Sequence, residues 1–207
     1  MEIVLGTANF GNAGYGTTPN GLSPSDVISI LSAARGRVSM LDTADGYGMS
    51  LHRCRKYGED FKIMHKSRDI SSMWPGEIPI FHNFSSADQA IVDWDKWQGA
   101  SIYDPSVLDL IPRGVGKIVS VPMNMMDLRF LPKIIEKPDS FRYYIRSVFL
   151  RGNLPYELGV HMLRIAKRLP ITGAIIGADF YYQFLETLNH IKNEFTVDYA
   201  NGTWKES

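Results

Sequence analysis

Asp42, Tyr47, Lys66 and His82 are a set of side chains whose types suit proton transfer at a carbonyl. A free tyrosine, with a pKa of about 10, is a poor acid at neutral pH. A neighbouring ammonium favours the phenolate, and a carboxylate can hold that ammonium in position. A nearby imidazole orients a carbonyl oxygen towards the phenol. Such a site protonates the oxygen while hydride arrives at the carbon, with the hydride supplied by a nicotinamide. Taken singly, each residue has a blander reading: a tyrosine that packs, a lysine that is solvated, a histidine satisfied inside a core.

What lifts the set above those readings is where its members fall. Short apolar runs rich in β-branched or aromatic residues recur along the chain: Ile3–Leu5, Ser39–Leu41, Phe61–Met64, Pro79–Phe81, Ser101–Tyr103, Lys117–Val119, Tyr143–Ile145 and Ala174–Ile176. These are eight candidate strands. Asp42 and Tyr47 follow the second, Lys66 the third and His82 the fourth, so three successive strand ends carry the set. Helical patterns fill several gaps. Ser23-Pro24-Ser25-Asp26 supplies a cap, a proline in the first turn and an acid three residues after the cap; Val27, Leu31 and Ala34 then share a face. Leu158, Met162, Ile165 and Leu169 follow helical spacing, as do Phe184, Leu188 and Ile191. Strand and helix alternating about eight times point to a closed (β/α)8 TIM barrel, whose active sites lie at the C-terminal ends of the strands. Fifteen residues separate Lys66 from His82 and must include the fourth strand, so at least one outer helix is short or missing. The loop around Met73 and Trp74 covers that flank, or the flank meets another copy of the chain.

The bulk numbers narrow the field. With 207 residues, 44% of them hydrophobic, the chain has enough apolar material for one core and is short for two, so residues 1–207 are expected to form a single domain. Twenty-two basic and 22 acidic residues cancel, which argues against nucleic acid or a membrane surface as partner. Cys54 has no possible internal disulfide partner, and the chain starts MEIVLG without a leader pattern, so a cytoplasmic location is expected. His52, His65, His161 and His190 show no ligand spacing, and no metal is expected. The glycines of Gly11–Gly16 are not spaced as GxGxxG, and no GxxxxGK[ST] occurs; this turn reads as a loop at the barrel mouth.

At this point a family resemblance enters. Leu41–Gly48 (LDTADGYG) resembles the signature of the aldo-keto reductases, in which the Asp and Tyr are catalytic, and Lys66 and His82 match the other two members of that tetrad. Leu5–Gly11 is similar to the family's first strand and turn, Val121–Asp127 to its strand-six motif, Arg146–Gly152 to strand seven of bacterial members, and Ile175–Ala178 to strand eight. The resemblance implies a TIM barrel, a small aldehyde or ketone as substrate, Tyr47 as general acid assisted by Lys66 and Asp42, and His82 as the residue that orients substrate. It also implies NADP or NAD held by Gly6, Thr7, Ser101, Ser120, Asn124, Arg146, Ser147, Gly177, Gln183 and Glu186.

The departures are equally specific. Family members are about half as long again. Ile102 stands where many have Asn, Ser120 replaces a Gln, and Arg146 stands where many stack a Tyr on the nicotinamide. Gly177–Gln183 offers one acid and no cation to a 2′-phosphate, leaving the choice of NAD or NADP open. Two rivals follow: a degenerate relative acting in nucleotide sensing or protein interaction, in which the reduced flank pairs with a second copy, and a lyase using Lys66 as a Schiff-base amine.

Overall fold

The computed structural model describes residues 1–11, 14–15, 21–114 and 116–192, together with the backbone of two short strands, Phe195–Asp198 and Thr203–Glu206. Asn12, Ala13 and Gly16 of the glycine-rich turn lie outside the described residues. Eight parallel strands close into a barrel in sequential order: β1 (Glu2–Gly6), β2 (Met40–Ala44), β3 (Lys62–Ser67), β4 (Ile78–Phe81), β5 (Gly99–Ser101), β6 (Ile118–Pro122), β7 (Arg142–Arg146) and β8 (Gly173–Ile176). β8 returns to β1, with Glu2 opposite Gly173 and Leu5 opposite Ile176. All eight expected strands are present. The fifth begins two residues early, because Gly99 brings its backbone so close to Ile118 that a β-carbon would overlap the Ile118 carbonyl.

Side chains alternate across each strand, so every second residue enters the barrel. Val4, Met40, Met64, Ile80, Ile118, Tyr144 and Ile175 form a buried apolar layer inside it. The Tyr144 ring fills the room that Gly173 leaves open; a β-carbon there would lie 2.6 Å from Cε1 of the ring. Below this layer, Tyr144 Oη donates to Glu2 Oε2 at 2.8 Å, while Arg142 Nη2 donates to Glu2 Oε1 and to Tyr144 Oη, each at 2.7 Å. These three residues plug the N-terminal end of the barrel. The larger core lies outside it, between strands and covering elements, and includes Leu31, Leu41, Phe130, Tyr143, Leu163 and Phe184.

That cover is lopsided. α1 (Pro24–Ala34) follows β1, α2 (Ser50–Tyr57) follows β2, α3 (Leu131–Glu136) follows β6, α4 (Tyr156–Ala166) follows β7 and α5 (Tyr181–Lys192) follows β8. After β3, β4 and β5 the described residues form only 3-10 turns, at Ile70–Ser72, Ser86–Asp88 and Pro105–Leu110. The trimming therefore covers three crossovers, two more than the short Lys66–His82 spacing required. Two devices stand in for the missing helices. Phe81, Phe84, Trp94 and Trp97 pack edge to face with centroids 5.0–6.0 Å apart, and Lys117 Nζ ties down the carbonyls of Trp94 and Trp97 at 2.7 and 2.5 Å. Arg68–Glu77 crosses from β3 to β4 and is pinned by Glu77, which accepts from Arg55 Nε (2.8 Å) and Nη2 (2.9 Å) and from the backbone N–H of Trp74 (3.0 Å). His65, fully buried, sits between Glu77 (2.8 Å) and Asp45 (2.6 Å).

The helices that do form follow their local chemistry. Ser23 and Asp26 make the expected reciprocal cap of α1 behind Pro24, and Val27, Leu31 and Ala34 are buried. α5 buries Phe184, Leu188 and Ile191 as their spacing requires. α4 is rotated from its expected face. Leu158 is exposed, and Gly159, Met162, Leu163 and Ala166 point inward, because Gly159 lets the helix settle against the Phe149 ring. No helix is long and apolar enough to cross a membrane among the described residues.

Candidate active site

Moving one inward-facing position up from each residue of the apolar layer gives Gly6, Asp42, Lys66, His82, Ser120, Arg146 and Gly177. All but Ser120 line a cavity of about 560 Å³ at the C-terminal mouth, a size in the usual range for ligand sites. The apolar layer lies directly beneath these residues.

Asp42 and Lys66 are almost wholly buried, and Lys66 Nζ donates to Asp42 Oδ2 at 2.5 Å and to Tyr47 Oη at 3.1 Å. Burial works against the lysine's charge, but Asp42 and Tyr47 outweigh it and raise its pKa, so the ammonium persists at neutral pH. Since the phenol oxygen accepts from the ammonium, its own hydrogen is free to point elsewhere into the cavity. His82 stands edge-on to the Tyr47 ring, centroids 6.2 Å apart and planes at 89°. Burial first, then the charges of Lys66 and Arg146, push its pKa down to about 4, so the ring is neutral at neutral pH.

The loop that carries Tyr47 is anchored from behind. Ser50, at the start of α2, bonds to the Thr7 hydroxyl (2.8 Å) and donates to the Thr7 carbonyl (2.7 Å), and the Thr7 hydroxyl donates to the Asp42 carbonyl (2.9 Å). Gly11 packs against this loop so tightly that any side chain there would overlap the Tyr47 carbonyl.

Of the residues expected to hold a cofactor, Gly6, Arg146, Ser147, Gly177 and Gln183 line the cavity. The others do not. Thr7 faces outward in the anchor just described. The Ser101 hydroxyl accepts from the Asn83 N–H at 2.9 Å, and Ser120 is buried beside it with its hydroxyl unpaired. Asn124 braces two loops, accepting from the Met126 N–H (2.9 Å) and donating to the Ser147 carbonyl (3.3 Å). Glu186 is exposed on α5.

The cavity also holds residues that strand-end reasoning missed, chiefly Asn9, Tyr15, Asn83, Tyr103 and Arg151. They sit on loops without periodic patterning. Two of them leave a conformational trace: Asn83 and Arg151 have φ of 55° and 58°, as the expected Ser147 does at 60°. Left-handed backbone of this kind costs about 1–2 kcal/mol per non-glycine residue and gathers at functional sites. Asn9 Nδ2 donates to the Ala178 carbonyl (2.6 Å) and to Asp179 Oδ1 (3.0 Å), tying the loop after β1 to the loop after β8. No group of His, Cys, Asp and Glu suited to a metal ion occurs among the described residues.

Superposition on solved structures places the architecture. A Pseudomonas aeruginosa protein assigned to the aldo-keto reductases matches with a TM-score of 0.71 and 15% identity, over 92% of this chain and 89% of that one. The fold is that of the aldo-keto reductases. An aldo-keto reductase of Bacillus halodurans in its holo form matches at TM-score 0.64 and 12% identity, over 92% and 86% of the two chains. One from Klebsiella pneumoniae, in complex with NADP and acetate, matches at 0.59 and 11%, again over 92% and 86%. No protein-family model and no curated protein sequence matches the chain. At these identities the aldo-keto reductase likeness concerns the backbone; the chemistry rests on the residues themselves.

Proposed function

We propose that this chain is a reductase of small aldehydes or ketones that uses NADPH or NADH, with Tyr47 as its acid. The observation that carries this reading is the buried chain of contacts from Asp42 through Lys66 to Tyr47 beside a neutral His82, at the floor of a cavity open to solvent.

The cavity suits a dinucleotide in two respects. Asp42 Oδ1 is buried without a hydrogen-bond partner and belongs to a residue that lines the cavity, so an acceptor is on offer to a ligand hydroxyl. Gly6 and Gly177 leave a cradle beside it: a β-carbon on Gly177 would lie 3.5 Å from the Gly6 carbonyl, occupying that space. Gly6, Ser147, Gly177 and Gln183 are the residues that would hold the cofactor, whose nicotinamide supplies a hydride when bound. The protein's own part is proton management. His82 donates its one N–H to the substrate's carbonyl oxygen and aligns it with Tyr47. As two electrons enter at carbon, the C=O π pair moves to oxygen, and oxygen takes the Tyr47 proton. The phenolate left behind is stabilised by the Lys66 ammonium, which Asp42 holds in place, until solvent returns the proton.

The test is turnover of simple aldehydes with NADPH and with NADH, alongside Tyr47→Phe. The variant is expected to lose at least about 100-fold in kcat while still quenching tryptophan fluorescence on cofactor addition. Equal turnover in the variant removes Tyr47 from the mechanism. A second reading, a degenerate relative that senses nucleotide or binds protein, draws on the positions of Thr7, Ser101, Ser120, Asn124 and Glu186 away from the cavity. Saturable cofactor binding without turnover of any carbonyl would put it first.

A further inference from the structure

Arg146 is the cation that the proton machinery does not use. It ends β7, one inward position above Tyr144, and is 9% exposed. Lys66 has Asp42 as counter-ion; among the described residues Arg146 has none. Its Nη2 donates to the Ile102 carbonyl at 3.1 Å, and the Tyr103 ring covers one face of the guanidinium, with Cζ 4.0 Å from the centroid. Among the described residues no carboxylate lies within ion-pair distance of it. A buried guanidinium without an anion is costly, and its planar fork of N–H groups matches a carboxylate or phosphate. It lines the same cavity as His82, and its charge is near enough to help lower that imidazole's pKa. The rest of the cavity agrees in sign. Its cations are Lys66, Arg146 and Arg151; its carboxylates are Asp42, whose charge Lys66 balances, and Asp179, bonded to Asn9.

We propose that the substrate is an anionic carbonyl compound, whose carboxylate or phosphate group docks on Arg146 while its carbonyl oxygen meets Tyr47 and His82. This rests on the reductase reading above. The same fork would also hold a phosphate of the dinucleotide, and the experiment separates the two.

The probes are 4-carboxybenzaldehyde and its methyl ester, which differ in charge; the ester withdraws electrons more strongly and makes its aldehyde intrinsically the more reactive, so a preference for the acid has to come from the site. One charge-assisted hydrogen-bond pair predicts that kcat/KM for the acid exceeds that for the ester by about tenfold or more. In Arg146→Met this ratio is expected to fall to one or below, mainly through the KM of the acid, and in Arg146→Lys to an intermediate value because the charge stays while the fork is lost. An acid-to-ester ratio near one in the unmodified protein overturns the proposal, as does a ratio that survives Arg146→Met. Weaker NADPH binding in Arg146→Met with an unchanged ratio assigns the anion to the cofactor and also overturns it. If neither aldehyde is reduced, the reductase reading fails by itself, and saturation-transfer NMR of 4-carboxybenzaldehyde then decides the anion site. Binding lost in Arg146→Met supports the site; no binding, or binding that the substitution leaves intact, rules it out.

Discussion

Each polar residue at the cavity floor stands two positions after an apolar one on the same strand: Asp42 after Met40, Lys66 after Met64, His82 after Ile80, Arg146 after Tyr144. The pleat thus sets charged groups directly on a packed layer, and their positions follow from the packing beneath. His82 shows what that burial does. A free histidine takes up its second proton near about pH 6.5. Here burial and two nearby cations push the value down to about 4. An NMR titration of the imidazole is therefore expected to show no change from pH 8 to 5 and a midpoint near that value; a midpoint near 6.5 would mean a solvated ring. The sign for stability follows. Above pH 6.5 folded and unfolded chains both carry a neutral His82. As pH falls from 6.5 towards 4 the unfolded chain gains the proton first, so acidification across that window favours unfolding.

At the scale of elements, Glu77 bears the largest share of an unusual duty, holding a ten-residue crossover against a barrel that has no helix there. Burial alone would raise its pKa, but Arg55, the Trp74 N–H and His65 prevail and lower it, so its contribution to stability is complete above the ordinary glutamate range and is lost as pH falls through the lowered value. Glu77→Ala leaves Arg55 and His65 without that partner and is expected to cost about 3 kcal/mol in urea unfolding, with new protease cleavage inside residues 68–77. A loss below about 1 kcal/mol would mean that the aromatic cluster carries the flank unaided. None of this was legible in the sequence, since a histidine held between acids from two different loops leaves no spacing. The strands were legible because β-branched and aromatic runs mark them, and with them the placement of Asp42, Lys66 and His82 at their ends. The fifth strand and the face of α4 were misplaced for one shared reason: Gly99 and Gly159 act by lacking a side chain, and pattern reading follows side chains.

For the whole molecule, the asymmetry of the cover predicts an asymmetry of stability. α4, α5, α1 and α2 wrap the arc from β7 through β8 and β1 to β2, while β4 and β5 pair only through Ile80 opposite Gly99 and Phe81 opposite Ala100, under turns. Amide hydrogen exchange should be slowest in β1, β2, β7 and β8 and distinctly faster in β4 and β5; uniform protection would show that the turns cover as well as helices do. Ile91 and Trp74, exposed on the trimmed side, are where a second copy would register as protection that grows with protein concentration.

The plug of Glu2, Arg142 and Tyr144 has its own corollary for traffic. Among the described residues it closes the barrel from below, so on the reductase reading proposed above substrate, product and the solvent that would reprotonate Tyr47 would all pass through the C-terminal mouth. A stopper wide enough to rest on Tyr15, Tyr103 and Arg151 at the rim would halt every one of these flows at once without ever reaching the lysine.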